Sequence, residues 1–192
     1  GFQNLPVAEA QMYEEHRPPP HGAGTKSASS KFEIGDSGPW EITVPHTVYP
    51  PREDTALLGR ALLRLSGDCG QATEIGCGSG ALSILLASMG WEVAACDVNP
   101  FAVAAARGNV EKAGFADMIS VDEGGPGEPG WGLQEGVNLV VWNLPYLDPL
   151  EPDGVSLEPI EEASMSDLPR GWSDKLLEVV DDGLIDSSCL VV

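Results

Sequence analysis

Three short stretches hold residues whose types and spacing could do chemistry. The first is EIGCGSGA, 74–81. Glycines at that spacing allow a tight turn and let backbone N–H groups approach a ligand at the start of a helix. The second is Asp97, 21 positions after Gly76, at the end of the apolar run WEVAACDV. A carboxylate there can accept hydrogen bonds from both ribose hydroxyls of a nucleoside. The third is NLPY, 143–146, which follows the apolar VVW. Asn and Pro end strands for ordinary reasons, because Asn bonds nearby backbone and Pro removes a donor. The same residues also offer a side-chain carbonyl, a backbone carbonyl and an aromatic ring around one point.

Gly76-x-Gly78-x-x-Ala81 satisfies a dinucleotide fingerprint, so the turn alone does not say which nucleoside binds. Three features favour S-adenosylmethionine over NAD. Glu74 stands two residues before the first Gly, where a dinucleotide fold usually has apolar strand. The third strand ends in Asp122-Glu123, placed to meet an adenine amino group. The fourth ends in Asn143-Leu144-Pro145-Tyr146. An NAD-dependent oxidoreductase would need a hydride-relay residue, yet no His follows His46, and Lys112 and Lys175 are the only Lys beyond the turn.

EIGCGSG, DVNP and NLPY together resemble a class I S-adenosylmethionine-dependent methyltransferase. VYPPREDTALL, 48–58, resembles the segment before the Gly-rich turn in HemK-like release-factor glutamine methyltransferases, in the form of the archaeal and eukaryotic branch. That resemblance covers about residues 45–147. It implies Thr55, Glu74, Gly76, Cys77, Gly78, Asp97, Val98, Asp122, Glu123 and Asn143 at the cofactor, and S-adenosylhomocysteine as product. It implies Asn143, Leu144, Pro145 and Tyr146 at the acceptor nitrogen, which would be the side-chain amide of a Gly-Gly-Gln loop in a release factor. It also implies a small zinc-binding activator protein as partner. Leu144 departs from the family, which usually has Pro there. The backbone carbonyl survives that change, but Leu frees φ and adds an N–H.

An amide nitrogen is a poor nucleophile because its lone pair is delocalised. To attack a methyl sulfonium it must be held in line, with its N–H groups drawn toward acceptors. Asn143 Oδ1 and the carbonyl of residue 144 would do both, by positioning and electrostatics. Tyr146 would pack on the flat substrate group. A nucleobase amine presents the same flat –NH2, so an RNA or DNA methyltransferase is the alternative in the same class. A non-catalytic homologue that binds cofactor or partner is the alternative outside it.

The elements that position these residues alternate. ATEIG, WEVAACDV, MISVD and VNLVVW read as strands. GALSILLASMG and NPFAVAAARGNVEKAG read as helices ended by Gly90 and Gly114. DTALLGRALLRL reads as an upstream helix, with Asp54 or Thr55 as its N-cap. SDKLLEVVDDGL reads as a short helix and CLVV as a fifth strand. The fold expected is α/β, a Rossmann-like doubly wound and mostly parallel sheet, without the last two strands usual in this class. Residues 1–45, rich in Pro, Gly and Ser, read as a mostly irregular arm with WEITV, 40–44, as a candidate short strand, and 46–192 as the cofactor-binding domain.

The chain has 192 residues and a formal net charge of -20, from 30 acids and 10 bases. Such a surface repels phosphate backbones, which makes nucleic acid a less natural partner than protein; an acidic, Lys-poor surface equally suits a high-salt cytoplasm, where screening shortens the reach of charge. No metal site is expected, since the four Cys form no C-x-x-C and His16, His21 and His46 lack ligand spacing. No apolar stretch approaches a membrane span, and no secretory signal is visible, so a cytoplasmic location is expected.

Overall fold

A computed structural model describes residues 27–126, 128, 131–144, 174, 178 and 190–191. Chain order begins with β1 (Ser27–Ile34) and β2 (Ser37–Pro45), then α1 (Glu53–Leu62). It continues with β3 (Gln71–Ile75), α2 (Ala81–Met89), β4 (Glu92–Asp97), α3 (Pro100–Ala113) and β5 (Ile119–Glu123). It ends with β6 (Leu139–Trp142) and β7 (Leu190–Val191). The main sheet runs β5-β4-β3-β6-β7, and every neighbouring pair in it is parallel. Asp174 and Glu178, within the expected short helix, are helical.

Side chains alternate across this sheet. Ala72, Val93, Ala95, Ile119, Val121, Leu139 and Val141 join the core that α2 and α3 complete. Ile75, Cys96, Val140 and Trp142 form a second cluster on the opposite face, with Val137 and the partly buried Trp131, Leu133 and Leu144. Residues 81–87 of α2 are all buried. That is the signature of a helix apolar on every side and packed all round. In α3 the buried positions 102, 103, 106, 109 and 110 recur at helical spacing.

Pro100, Gly90 and Gly114 stand at the helix ends read from sequence. Asn99 accepts from Phe101 N at 2.9 Å ahead of Pro100. Gly90 and Gly114 close α2 and α3 in left-handed conformation. The start of α1 differs from expectation. Arg52 is its N-cap, and Thr55 lies one position inside the first turn's end. From there its Oγ1 accepts the Arg52 N–H at 3.3 Å. The hydroxyl thus reaches back to the cap instead of occupying it.

Residues 27–45 also depart from the irregular arm expected of 1–45. They form an antiparallel hairpin, with Ser27 opposite Pro45 and Ile34 opposite Ser37. Phe32, Ile34, Ile42 and Val44 alternate inward and join the core of α2 and α3. The two-residue Gly35-Asp36 loop suits a hairpin, with Gly35 at φ 60. Asn109 of α3, 2% exposed, ties the hairpin down. Its Oδ1 accepts Thr43 N at 2.8 Å, and its Nδ2 donates to Thr43 O at 2.8 Å and Ser79 O at 2.9 Å.

Candidate active site

In a doubly wound sheet ligands bind at the carboxyl ends of strands where the strand order reverses. Here that point lies between β3 and β6, because β4 and β5 lie on one side of β3 and β6 and β7 on the other. The Gly-rich turn leaves β3 at this point, and Asn143 leaves β6 beside it. Gly76 and Gly78 hold φ 65 and 54, which side chains rarely adopt. A Cβ on Gly76 would meet the Trp142 ring nitrogen at 3.5 Å. A Cβ on Gly80 would meet Ala106 Cβ at 3.1 Å, so glycine lets α3 approach the start of α2.

Asp97 braces the turn from the neighbouring strand. Its two carboxylate oxygens accept Gly78 N and Asn99 N, each at 2.8 Å. Loss of solvent around it raises its pKa to about 6, and these two backbone hydrogen bonds pull the other way. Val98 is partly buried beside it. Glu123 pairs with Asp97 across β4 and β5, so it stands at the same edge and is exposed. Asp122 is exposed as well, but its carboxylate lies 3.6 Å from Arg107 Nη2. Arg107 also donates to Val121 O.

Glu74 and Cys77 lie deeper. Glu74 is 3% exposed and accepts from the Ser83 hydroxyl of α2. Burial pushes its pKa up to about 8, against the smaller lowering by Ser83. It is therefore a neutral acid at pH 7. Burial, reinforced by Asp97 and Glu74, raises Cys77 well above the ordinary thiol range. Burial and Asp97 push Cys96 up to about 12, although the Trp131 indole N–H donates to its sulfur. Both thiols stay protonated and serve as small packing groups. Among the described residues no group of His, Cys, Asp and Glu could hold a metal ion.

The state of Glu74 predicts a pH dependence. A carboxyl whose folded pKa lies above its unfolded value contributes stability below the unfolded pKa and loses it as pH rises. For Glu74 the window runs from 4.5 to about 8. Within it the slope is about 1.4 kcal/mol per pH unit from this group. Asp97, shifted the same way, adds to the slope below pH 6. Glu74→Gln keeps the shape without the ionisation. Urea titrations from pH 6 to 8.5 should show the wild type losing stability more steeply than the variant; parallel curves would reject the assignment.

The segment before α1 passes over the mouth of the turn. Thr47 O accepts Asn99 Nδ2 at 3.0 Å. Val48 Cγ1 and Tyr49 O lie 3.9 Å from where a Gly78 Cβ would stand. Asp54 Oδ2 accepts Asn143 Nδ2 at 3.0 Å. One stretch of chain therefore touches the loops after β3, β4 and β6. Thr55 is buried under it. Asp54 and Asn143 line a cleft of about 440 Å³ together with Leu57, Leu58, Ala61 and Trp142. Trp142 is itself buried in the second core cluster. Leu144 N donates to Trp142 O at 2.9 Å, bending the chain just after the strand. Pro145 and Tyr146 lie outside the described residues.

The structure thus brings Gly76, Gly78, Asp97, Glu123 and Asn143 to one edge of the sheet. Glu74 and Cys77 sit beneath that edge, and Asp122 turns to Arg107. Asp54, Asn99 and Asn109 were not singled out from sequence as site residues. Asn109 had a visible signal, as a polar residue on the buried stripe of α3. Asp54 had none beyond its place in PREDT, because its partner lies 89 positions away.

These residues fit S-adenosylmethionine. The left-handed glycines leave space a Cβ would narrow, Asp97 has acceptor capacity left on both oxygens, and the turn opens onto the N-terminus of α2.

The family model for ribosomal protein L11 methyltransferase matches residues 55–145. That span holds the Gly-rich turn, Asp97 and Asn143. Among curated proteins, no sequence matches the chain significantly. Solved structures match its fold. Trm5b from Pyrococcus abyssi superposes with TM-score 0.59 at 17% identity, covering 88% of this chain and 41% of that one. Ribosomal protein L11 methylase from Lactobacillus delbrueckii subsp. bulgaricus gives TM-score 0.51 at 18% identity, covering 75% and 60%. The glycopeptide N-methyltransferase MtfA, complexed with S-adenosylmethionine, gives 0.51 at 18%, covering 70% and 51%. The chain spans between 41% and 60% of the length of these three.

The fold is that of class I S-adenosylmethionine-dependent methyltransferases. Within that class, the family model it is similar to carries the name ribosomal protein L11 methyltransferase.

Proposed function

We propose that this chain transfers a methyl group from S-adenosylmethionine to a planar –NH2 nitrogen of a protein, with the glutamine amide of a release-factor Gly-Gly-Gln loop as acceptor. The observation that carries the reading is the hydrogen bond between Asp54 and Asn143. It joins the two segments, PREDT and NLPY, whose pairing distinguishes the release-factor resemblance from methyltransferases in general. The match to a family named for a ribosomal protein also favours a protein acceptor, as does the net charge of -20.

Bound S-adenosylmethionine supplies an electrophilic methyl on sulfonium. The chain supplies orientation. Asp97 and Glu123 hold the nucleoside end, and Gly76 and Gly78 let the backbone approach. Asn143 Oδ1 and the Leu144 carbonyl accept from the two N–H groups of the acceptor, fixing its plane and stabilising charge that develops on nitrogen. Orientation of this kind can supply roughly 7–11 kcal/mol in favourable cases. Tyr146, outside the described residues, would by the resemblance stack on the acceptor. A small zinc-binding activator belongs to the same reading, and co-expression with one should raise the soluble yield.

The test is transfer of labelled methyl into a cell extract and into a Gly-Gly-Gln peptide, with Asn143→Ala as control. Protease-sensitive label recovered as methylglutamine supports the reading. Label on a ribosomal protein, or label lost with ribonuclease, replaces the acceptor. Bound cofactor with no label on any acceptor marks a non-catalytic homologue.

A further inference from the structure

We infer that Asp54 is a positioning residue that sets which way round the Asn143 side chain faces. This deepens the proposed reaction and rests on Asn143 as the acceptor of substrate N–H groups.

A primary amide can rotate by half a turn and exchange its C=O and –NH2 with almost no change of shape. Its two faces have opposite meaning for an incoming –NH2 group. The carbonyl accepts from it, and the amide nitrogen opposes it. Something must therefore choose. A carboxylate accepts and does not donate, so the group within 3.0 Å of Asp54 Oδ2 has to be the Asn143 –NH2. Oδ1 is then turned away from Asp54, and among the described residues no donor is bonded to it. Both residues are partly buried, which strengthens the bond relative to open water.

Asp54 is itself fixed. It lies in the first turn of α1, where the helix dipole favours a negative charge. The Thr55 hydroxyl, buried beneath it, lies 3.5 Å from its other oxygen. Asp54 stands on α1 and Asn143 after β6, so the bond also holds α1 at a set distance from the sheet edge.

Four variants test this: Asp54→Ala, Asp54→Asn, Asn143→Ala and the double alanine variant. Two readouts are taken on each folded protein. The first is kcat with a Gly-Gly-Gln peptide as acceptor, alongside the Kd for S-adenosylmethionine. Asp54→Ala should lower kcat about 10- to 100-fold, the weight of one charge-assisted hydrogen bond, with Kd changed less than about threefold. Asp54→Asn, which still carries a carbonyl, should recover part of the loss. In the Asn143→Ala background, Asp54→Ala should cost nothing further. The second readout needs no turnover. The side-chain –NH2 signals of Asn143, assigned by their loss in Asn143→Ala, should have well-separated proton shifts that draw together in Asp54→Ala.

Losses that multiply in the double variant would overturn the inference, because Asp54 would then act independently of Asn143. So would an Asn143 signal unmoved by Asp54→Ala, or a Kd that rises in step with the loss of kcat. A signal that moves while Asn143→Ala keeps full kcat instead overturns the role of Asn143 in the reaction, and leaves the orienting bond intact.

Discussion

Asn143→Ala is expected to lower kcat by about 10²- to 10³-fold, the usual cost of deleting one preorganised group facing developing charge. The reason is chemical. The acceptor lone pair is delocalised, and attack requires the –NH2 plane to be held while the nitrogen gains positive character. In the proposed reaction Asn143 Oδ1 and the carbonyl of Leu144 would form a two-point clamp, and one point alone leaves the –NH2 group free to turn. Cofactor affinity should fall less than about tenfold, because the turn, Asp97 and Glu123 are untouched. Stability should change little, since Asn143 is only partly buried and its partner Asp54 can be solvated. Single-turnover rates at saturating cofactor, with calorimetric Kd alongside, check both halves. A Kd that rises in proportion to the lost rate would move Asn143 from the acceptor to the cofactor.

Asp97→Ala is expected to raise the Kd for S-adenosylmethionine by at least about 100-fold, as two charge-assisted hydrogen bonds to ribose are lost. It also frees Gly78 N and Asn99 N, both of which the carboxylate now holds at 2.8 Å. The turn then loses its brace together with its ribose acceptor. A pH titration separates the two effects. With its pKa raised to about 6 by burial, Asp97 gains a proton as pH falls through that value. Ribose hydroxyls favour the ionised form, so wild-type affinity should fall about tenfold per unit below pH 6. Asp97→Asn should bind weakly at every pH with a flat profile. A wild-type profile that is flat between pH 5 and 7 would sink the assignment.

Local rules were legible wherever one residue type has one physical reason. Gly90 and Gly114 end helices because only glycine enters the left-handed cap cheaply. Pro100 starts one because its fixed φ suits the first turn, whereas the Asn99 cap was not read. Asp97 and the Gly-rich turn were read correctly as neighbours, because a strand–helix–strand unit fixes their separation. Of the hairpin only WEITV, within β2, was legible; β1 was missed for the opposite reason, because its Phe32-x-Ile34 alternation lies among Ser and Gly and composition outweighed period. Arg52 was missed as a cap because its side chain is not a capping type; Thr55 serves that end from inside the helix. Contacts between remote segments left no local trace. Asp54 with Asn143, Thr47 with Asn99 and Ser83 with Glu74 exist only once the sheet has formed.

Asn109 makes the hairpin and the cofactor turn share one fastening. Its amide spends both N–H groups, one on Thr43 and one on Ser79, so neither segment can move off without disturbing the other's bond. The hairpin and residue 79 of the turn are thus held by one side chain, which is itself fixed on α3. A change that frees Thr43 from Asn109 is therefore expected to loosen the turn at Ser79 as well, although the two segments are more than thirty positions apart in the chain.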